Sequence, residues 1–106
     1  MKIVNFAEMN SELNRFVAEI RDIHIQQDRL RFRKNLERIG EVMSYEISKD
    51  FRYSEKLVTT PLGTARVNTA DDKIVIGTIL RAGIPYHQGF LNYFDRAENA
   101  FVSAYR

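Results

Sequence analysis

Apolar side chains in the first half of the chain recur every three or four residues, the spacing of one helical face. The first set is Leu13, Phe16, Val17 and Ile20. It predicts a helix over residues 11–21 with Asn10 or Ser11 as its N-cap. The second set is Phe32, Leu36, Ile39, Met43 and Ile47. It predicts a helix over residues 28–49, and residues 1–6 ahead of both helices predict a short edge strand or an arm.

Beyond Asp50 the pattern changes to short β-type runs bounded by turn residues. Residues 56–60 and 64–68 flank Pro61-Leu62-Gly63, which predicts a hairpin that forms a flap or an edge. Residues 73–80 are β-branched and apolar nearly throughout. This composition is typical of a strand buried on both faces of a parallel sheet.

A glycine and a proline in residues 81–85 predict a tight turn into a helix that begins near Pro85 or Tyr86. Residues 99–105 then predict another strand. Strand, helix and strand in succession form a βαβ unit, so the sheet is at least partly parallel.

One βαβ unit behind two helices is an incomplete α/β domain, because a parallel pair needs further elements to cover its faces. We therefore expect the front part of a larger domain, with an incomplete parallel sheet, N-terminal helices and a β-hairpin. Residues 1–55 are its helical segment, and residues 56–106 are the hairpin and the first βαβ unit.

Composition and charge are those of one ordinary globular domain. The chain has 106 residues, of which 44% are hydrophobic and 28% charged. A net charge of +2 is too small to indicate a nucleic-acid-binding protein. No apolar run is long enough to span a membrane, and residues 1–6 lack the apolar core of a secretory signal. We expect a cytoplasmic protein that binds neither membrane nor nucleic acid.

Cysteine and histidine are too scarce for a disulfide framework or a zinc site. The chain has no cysteine, and its two histidines, His24 and His87, lie far apart. His87 has no acidic neighbour in sequence, so a surface position is favoured over a phosphate-donating role. Four tyrosines are expected to supply core or interface area. They are Tyr45, Tyr53, Tyr86 and Tyr93.

Two arginines directly follow the two predicted parallel strands. They are Arg81, after residues 73–80, and Arg106, after residues 99–105. Neighbouring strands end about 5 Å apart at the same sheet edge, so both guanidinium groups would reach one polyanion. Ala82 and Gly83 let backbone N–H groups approach such a ligand, and the following helix N-terminus adds partial positive charge. The pattern predicts a phosphate or diphosphate site.

Two other interpretations of the basic residues stay open. Arginines at strand ends are also common as solvated surface residues, and Gly77, Gly83 and Gly89 match neither the P-loop nor the dinucleotide-binding spacing. A basic cluster on the second predicted helix spreads over more than one face, which favours a solvated helix or a subunit contact over a nucleic-acid patch. The cluster is Arg29, Arg31, Arg33, Lys34 and Arg38.

The run Ile79-Leu80-Arg81-Ala82-Gly83-Ile84 resembles the ILRAG signature of uracil phosphoribosyltransferases. Residues 73–89 are similar to that family's succession of a valine-rich strand, the signature and a short helix. Further similar pieces follow in the family's order along nearly the whole chain. They are Asp22-Ile23, Arg31-Phe32-Arg33, Gly40, Tyr45-Glu46, Thr60-Pro61-Leu62-Gly63 and Ala104-Tyr105-Arg106.

The resemblance implies a type I phosphoribosyltransferase that joins uracil to 5-phospho-α-D-ribose 1-diphosphate and releases UMP and diphosphate, with Mg²⁺. Arg81 and Arg106 match ligand-contacting arginines of the family. With Ala82 and Gly83 they would hold the diphosphate and screen its charge as the glycosidic bond breaks. Uracil and the phosphoribosyl diphosphate are the implied small-molecule partners, and a homo-oligomer is expected.

The chain departs from the family pattern in two respects. Ile84-Pro85-Tyr86-His87 makes the turn into the helix stiffer and bulkier than the family's L-G-M. The phosphoribosyl loop and the uracil site do not occur in these residues, so they hold half an active site at most. A catalytically silent module that binds RNA or a protein partner is the alternative, and transferases for other bases also stay open. A long basic stripe would favour that module, whereas the charge here is balanced.

Overall fold

Two helices, a hairpin and a βαβ unit follow one another along the chain. The structure is a computed structural model that describes residues 1–105, and Arg106 lies outside the described residues. After a short 3-10 turn (Phe6–Glu8) come α1 (Leu13–Arg21), α2 (Arg29–Ser48), β1 (Tyr53–Thr60), β2 (Gly63–Ala70), β3 (Val75–Leu80), α3 (Ile84–Tyr93) and β4 (Glu98–Ser103). This order confirms the α/β class with N-terminal helices, a hairpin and a short parallel sheet. The division of the domain at residue 55 stays a prediction.

The start of α2 agrees with its prediction within one residue, whereas α1 begins two residues late. Asp28 Oδ1 caps α2 by accepting a hydrogen bond at 3.0 Å from a backbone N–H of the first turn. The prediction that Asn10 or Ser11 caps α1 is wrong. Glu12 precedes α1 with helical dihedral angles, and its carboxylate pairs with Arg15 instead of capping. Residues 1–5 form no strand, which leaves an arm.

The helices α2 and α3 pack closely because two glycines lie where they cross. A Cβ on Gly89 would lie 2.1 Å from the carbonyl oxygen of Glu37. A Cβ on Gly40 would lie 2.6 Å from the carbonyl oxygen of Tyr86. Any side chain at these positions would push the two backbones apart.

The apolar core is small for a chain of this length. Among the described residues, the apolar side chains at 8% exposure or less are Leu13, Ile39 and Ile76. The radius of gyration is 17.1 Å, above the roughly 13 Å usual for 100 residues. The molecule is elongated, with a longest dimension of 53 Å. Within residues 1–105 no helix combines the length and the apolar character that crossing a bilayer requires.

The predicted hairpin is present and longer than expected. β1 and β2 pair along their whole length, from Tyr53 opposite Ala70 to Thr60 opposite Gly63. Pro61-Leu62 forms the tip, and Gly63 has a φ of 131°, which favours glycine. The two strands pack chiefly on each other, so most of their side chains are exposed.

The βαβ unit is confirmed, but its first strand is covered on one face only. β3 and β4 are parallel neighbours, with Val75 opposite Glu98 and Leu80 opposite Ser103. Ile76 and Thr78 are buried beneath α3. The prediction of burial on both faces is wrong, because no element among the described residues covers the opposite face. Val75 and Ile79 on that face are 62% and 64% exposed.

Candidate functional site

The carboxyl ends of β3 and β4 lie side by side, as the sequence predicts. Leu80 pairs with Ser103 at the end of the parallel ladder. Arg81 follows directly and is exposed, and the peptide bond before it is cis. A cavity of about 370 Å³ opens between the two strand ends. Its lining residues are Leu80, Arg81, Ser103, Ala104 and Tyr105.

Among the described residues, the lining of this cavity presents a cation and hydroxyl groups but no carboxylate. None of the ion pairs within residues 1–105 involves Arg81, so its guanidinium is available to an anion. Ser103 and Tyr105 add two hydroxyl groups. The predicted strand over residues 99–105 is two residues too long at its end, because β4 ends at Ser103. The second predicted arginine, Arg106, lies outside the described residues.

The turn after β3 is held tightly at its far end. Gly83 N–H donates to the Ile79 carbonyl at 3.2 Å, and the Gly83 carbonyl accepts from His87 N–H at 2.8 Å. A Cβ on Gly83 would lie 2.7 Å from Thr78 Cγ2, so glycine permits this close approach. Because the Gly83 amide is occupied, a backbone donor for a ligand in this turn would have to be the amide of Arg81 or Ala82.

His87 is buried, and the predicted surface position is wrong. Its side chain is 6% exposed. Nδ1 is hydrogen-bonded to the hydroxyl of Thr78, and Nε2 lies 2.8 Å from Asn99 Oδ1. The ring stacks on Phe101 at a centroid distance of 5.0 Å. This network links α3 to β3 through Thr78 and to β4 through Asn99 and Phe101.

Comparison with known proteins identifies the family. The family model for uracil phosphoribosyltransferase matches residues 9–106. A relative from Porphyromonas gingivalis named uracil phosphoribosyltransferase is 60% identical over 106 residues. The match covers all of this chain and 49% of that relative. The chain belongs to the uracil phosphoribosyltransferase family.

Further matches agree with this family, and they too cover only part of each relative. A Methanothermobacter thermautotrophicus uracil phosphoribosyltransferase is 40% identical over 77 residues, which is 71% of this chain and 36% of that protein. The structure of the AQ2163 protein from Aquifex aeolicus aligns with a TM-score of 0.72 at 32% identity. It covers 89% of this chain and 45% of that one. The chain thus spans about half the length of the relatives it matches.

The bulky residues in this family member's turn after the ILRAG signature are accommodated by packing. Pro85 occupies the first turn of α3, where a missing N–H is tolerated. Tyr86 is half-buried and donates its hydroxyl to Met43 Sδ, and burial raises the pKa of Tyr86. Tyr86 thus supplies part of its area to the core. Three other tyrosines are about half-exposed, and their contribution to core or interface area stays a prediction. They are Tyr45, Tyr53 and Tyr93.

No metal site is present in the part of this uracil phosphoribosyltransferase family member that the structure describes. Residues 1–105 contain no group of three histidine, cysteine, aspartate or glutamate side chains placed to hold an ion. The described residues that line the cavity beside Arg81 likewise include no carboxylate, and carboxylates are the protein ligands that Mg²⁺ prefers. These residues fit an anionic ligand and do not fit a resident magnesium ion.

Proposed function

We propose that this chain supplies the diphosphate-binding part of a uracil phosphoribosyltransferase. The reaction would join uracil to 5-phospho-α-D-ribose 1-diphosphate and release UMP and diphosphate. Arg81, Ala82, Gly83 and Arg106 would contact the diphosphate, and Mg²⁺ would arrive with it as part of the substrate complex. Uracil and the ribose 5-phosphate would be held by parts of the relatives that this chain does not match.

The observation that carries the proposal is the position of Arg81, which is exposed at the sheet edge where the parallel strands β3 and β4 both end. Leu80 and Ser103 are paired there, so the chain after β4 leaves the sheet beside the turn of residues 81–83. The amides of Arg81 and Ala82 lie in that turn, which leads into the N-terminus of α3. Arg81 lines the cavity with the hydroxyl-bearing Ser103 and Tyr105, and the N-terminus of α3 follows three residues later. A guanidinium with hydroxyl groups beside it, close in sequence to a helix N-terminus, favours a multiply charged anion.

The proposed chemistry is electrostatic. When the glycosidic C–O bond breaks, negative charge grows on the departing diphosphate. A fixed guanidinium group stabilises the transition state, in which this charge has grown, more than it stabilises the ground state. It therefore lowers the activation barrier. Gly83 would act through the backbone by keeping the turn close to β3.

The basic cluster on α2 disfavours the alternative of an RNA-binding module. Arg31 Nη1 lies 3.2 Å from Glu19 Oε2, and Lys34 Nζ lies 2.9 Å from Glu37 Oε2. Arg38 Nη1 donates to Asn35 Oδ1 at 3.0 Å. Two of the five cations of the cluster, Arg31 and Lys34, are thus paired with carboxylates, and paired cations are weak counterions for a phosphate backbone. The homo-oligomeric state and the cytoplasmic location expected from the sequence stay predictions.

A chimera tests the proposal. Residues 1–106 of this chain would be joined to the portion of the Porphyromonas gingivalis relative that they do not match. We expect the chimera to form UMP from uracil and 5-phospho-α-D-ribose 1-diphosphate. A folded chimera that forms no UMP would refute the proposed function. Binding of RNA by the folded chain without transferase activity in the chimera would support the silent module instead.

A further inference from the structure

A chain of hydrogen bonds runs from buried Thr78 through buried His87 to exposed Asn99, close to the turn that carries Arg81. We propose that Thr78 and His87 are positioning residues that hold residues 81–83 in the shape that binds diphosphate. This role rests on the proposed function, because the shape of the turn matters only if a diphosphate binds there. Both side chains act through the backbone of the turn and do not touch the ligand.

The hydrogen bonds of Asn99 assign the proton of His87. Asn99 Nδ2 donates to the Ala97 carbonyl at 3.3 Å, so Asn99 Oδ1 is the atom that faces His87 Nε2. An amide oxygen only accepts, and His87 Nε2 therefore carries the proton. In the neutral imidazole Nδ1 is then an acceptor, and the hydroxyl of Thr78 donates to it.

Thr78 connects the hydrogen bond with His87 to the conformation of the turn. Its hydroxyl and its methyl group share one carbon, so a hydrogen bond that fixes the hydroxyl also fixes the methyl. That methyl, Cγ2, lies only 2.7 Å from where a Cβ on Gly83 would stand. The bond to His87 therefore selects the rotamer that seats Gly83 against β3. Gly83 is the last residue of the turn that begins with Arg81.

His87 is itself held from two further sides. Its ring stacks on Phe101 of β4 with an interplanar angle of 28°. Its backbone N–H donates to the Gly83 carbonyl at 2.8 Å. A leucine or phenylalanine could fill the same volume. Bonding Thr78 on one side and Asn99 on the other requires an acceptor and a donor on opposite edges of the side chain, which a neutral imidazole provides.

The first test uses the 106-residue chain and needs no ligand. Imidazole ¹⁵N spectra should show a protonated Nε2 and an unprotonated Nδ1 on His87. Thr78→Val removes the hydroxyl but keeps the branched shape, and it should shift the backbone amide signals of Arg81 and Ala82. Ser44→Ala is the matched control, because it removes another buried hydroxyl, which donates to the Gly40 carbonyl at 2.8 Å.

These spectra can overturn the proposal on their own. A proton on His87 Nδ1 would contradict the assigned direction of the Thr78 bond. If the amide signals of Arg81 and Ala82 stay unchanged in Thr78→Val, the hydrogen bonds of Thr78 do not influence the conformation of the turn. Equal shifts in Ser44→Ala would make the effect a general response to lost packing, which also contradicts a positioning role.

The second test measures turnover in the chimera with the Porphyromonas gingivalis portion. Thr78→Val and His87→Phe should each raise KM for the phosphoribosyl diphosphate roughly fivefold, with a smaller change in kcat. The double variant should raise KM no further, because either substitution breaks the same link. Ser44→Ala should leave KM unchanged.

The outcomes separate this role from the proposed function. If Ser44→Ala raises KM as much as Thr78→Val, or if the two substitutions add fully, the positioning role is wrong. If the unsubstituted chimera folds but forms no UMP, the proposed function is wrong. The spectra of the 106-residue chain then decide alone whether Thr78 and His87 order the turn.

Discussion

Gly89 of α3 and Gly40 of α2 are in direct backbone contact. A Cβ on Gly89 would lie 2.9 Å from Gly40 Cα and 2.1 Å from the carbonyl oxygen of Glu37. Backbone atoms cannot rotate away as a flexible side chain can, so the two helices would have to separate. We expect Gly89→Ala to lower the free energy of unfolding by about 3 kcal/mol in urea denaturation.

Gly77 provides the control for that substitution. No atom lies within 4 Å of a Cβ built on Gly77, which is on the uncovered face of β3. Gly77→Ala should change the free energy of unfolding by less than about 1 kcal/mol. Equal losses in the two variants would mean that the helix crossing is not the source of the effect.

Local patterns predict α2 and the βαβ unit well, because their apolar positions and turn residues lie close in sequence. The position of Arg81 at the edge of the sheet is predictable for the same reason, because the carboxyl ends of parallel strands lie at one edge. Burial of β3 is harder to predict, because it depends on which elements are present to cover each face. Val75 and Ile79 are apolar in sequence and yet exposed for that reason.

The environment of His87 could not be predicted from its sequence neighbours. Its partners Thr78 and Asn99 lie 9 and 12 residues away, and neither is acidic. They meet because the parallel register places Thr78 opposite Phe101 and Ile76 opposite Asn99. The available signal is the alternation along β3, which puts Thr78 on the same inward face as Ile76. That face needs a hydrogen-bond partner for a buried hydroxyl.

Arg81 is expected to dominate the contact with the diphosphate. In the chimera, Arg81→Ala should lower kcat/KM for the phosphoribosyl diphosphate, mainly through kcat, because a charge-assisted hydrogen bond that is strongest in the transition state is lost. The expected loss is roughly 2 kcal/mol in kcat/KM, or about thirtyfold. Arg81→Lys should recover only part of it, since an ammonium group cannot bind an anion as a planar fork does.

Arg96 is the matched control for Arg81. It is also exposed, but it lies in the turn before β4, at the opposite end of the parallel sheet. Arg96→Ala removes the same charge from the protein and should leave steady-state kinetics unchanged. Unchanged kinetics in Arg81→Ala as well would refute the assignment of Arg81 to the diphosphate.

The contact between α1 and α2 should make the chain sensitive to acid. A hydrogen bond from Asn35 Nδ2 at 2.7 Å lowers the pKa of Glu19 below its ordinary value of 4.5, and Arg31 lowers it further. Folding favours the ionised form of Glu19, so this carboxylate stabilises the folded state at pH values above its pKa in the unfolded chain. That contribution is lost as the pH falls through the pKa of Glu19 in the folded chain. Glu19→Gln should flatten the decline in the free energy of unfolding below pH 4.5.

Denaturation curves recorded at a series of pH values test this prediction. Glu8→Gln, in the 3-10 turn, is the control and should leave the slope unchanged. Curves for Glu19→Gln that run parallel to those of the unsubstituted chain would show that Glu19 is not the group responsible.

The uncovered face of the parallel sheet should make the 106-residue chain self-associate. Ile79 is 64% exposed there and lies opposite Val102, which is 59% exposed. Paired apolar residues on an open two-stranded sheet favour contact with a second copy. Ile79→Lys should shift the sedimentation profile toward monomer, whereas Ile23→Lys, at a comparable 65% exposure between α1 and α2, should not. If the unsubstituted chain sediments as a monomer at all concentrations, the exposed apolar face does not drive self-association and the prediction is wrong.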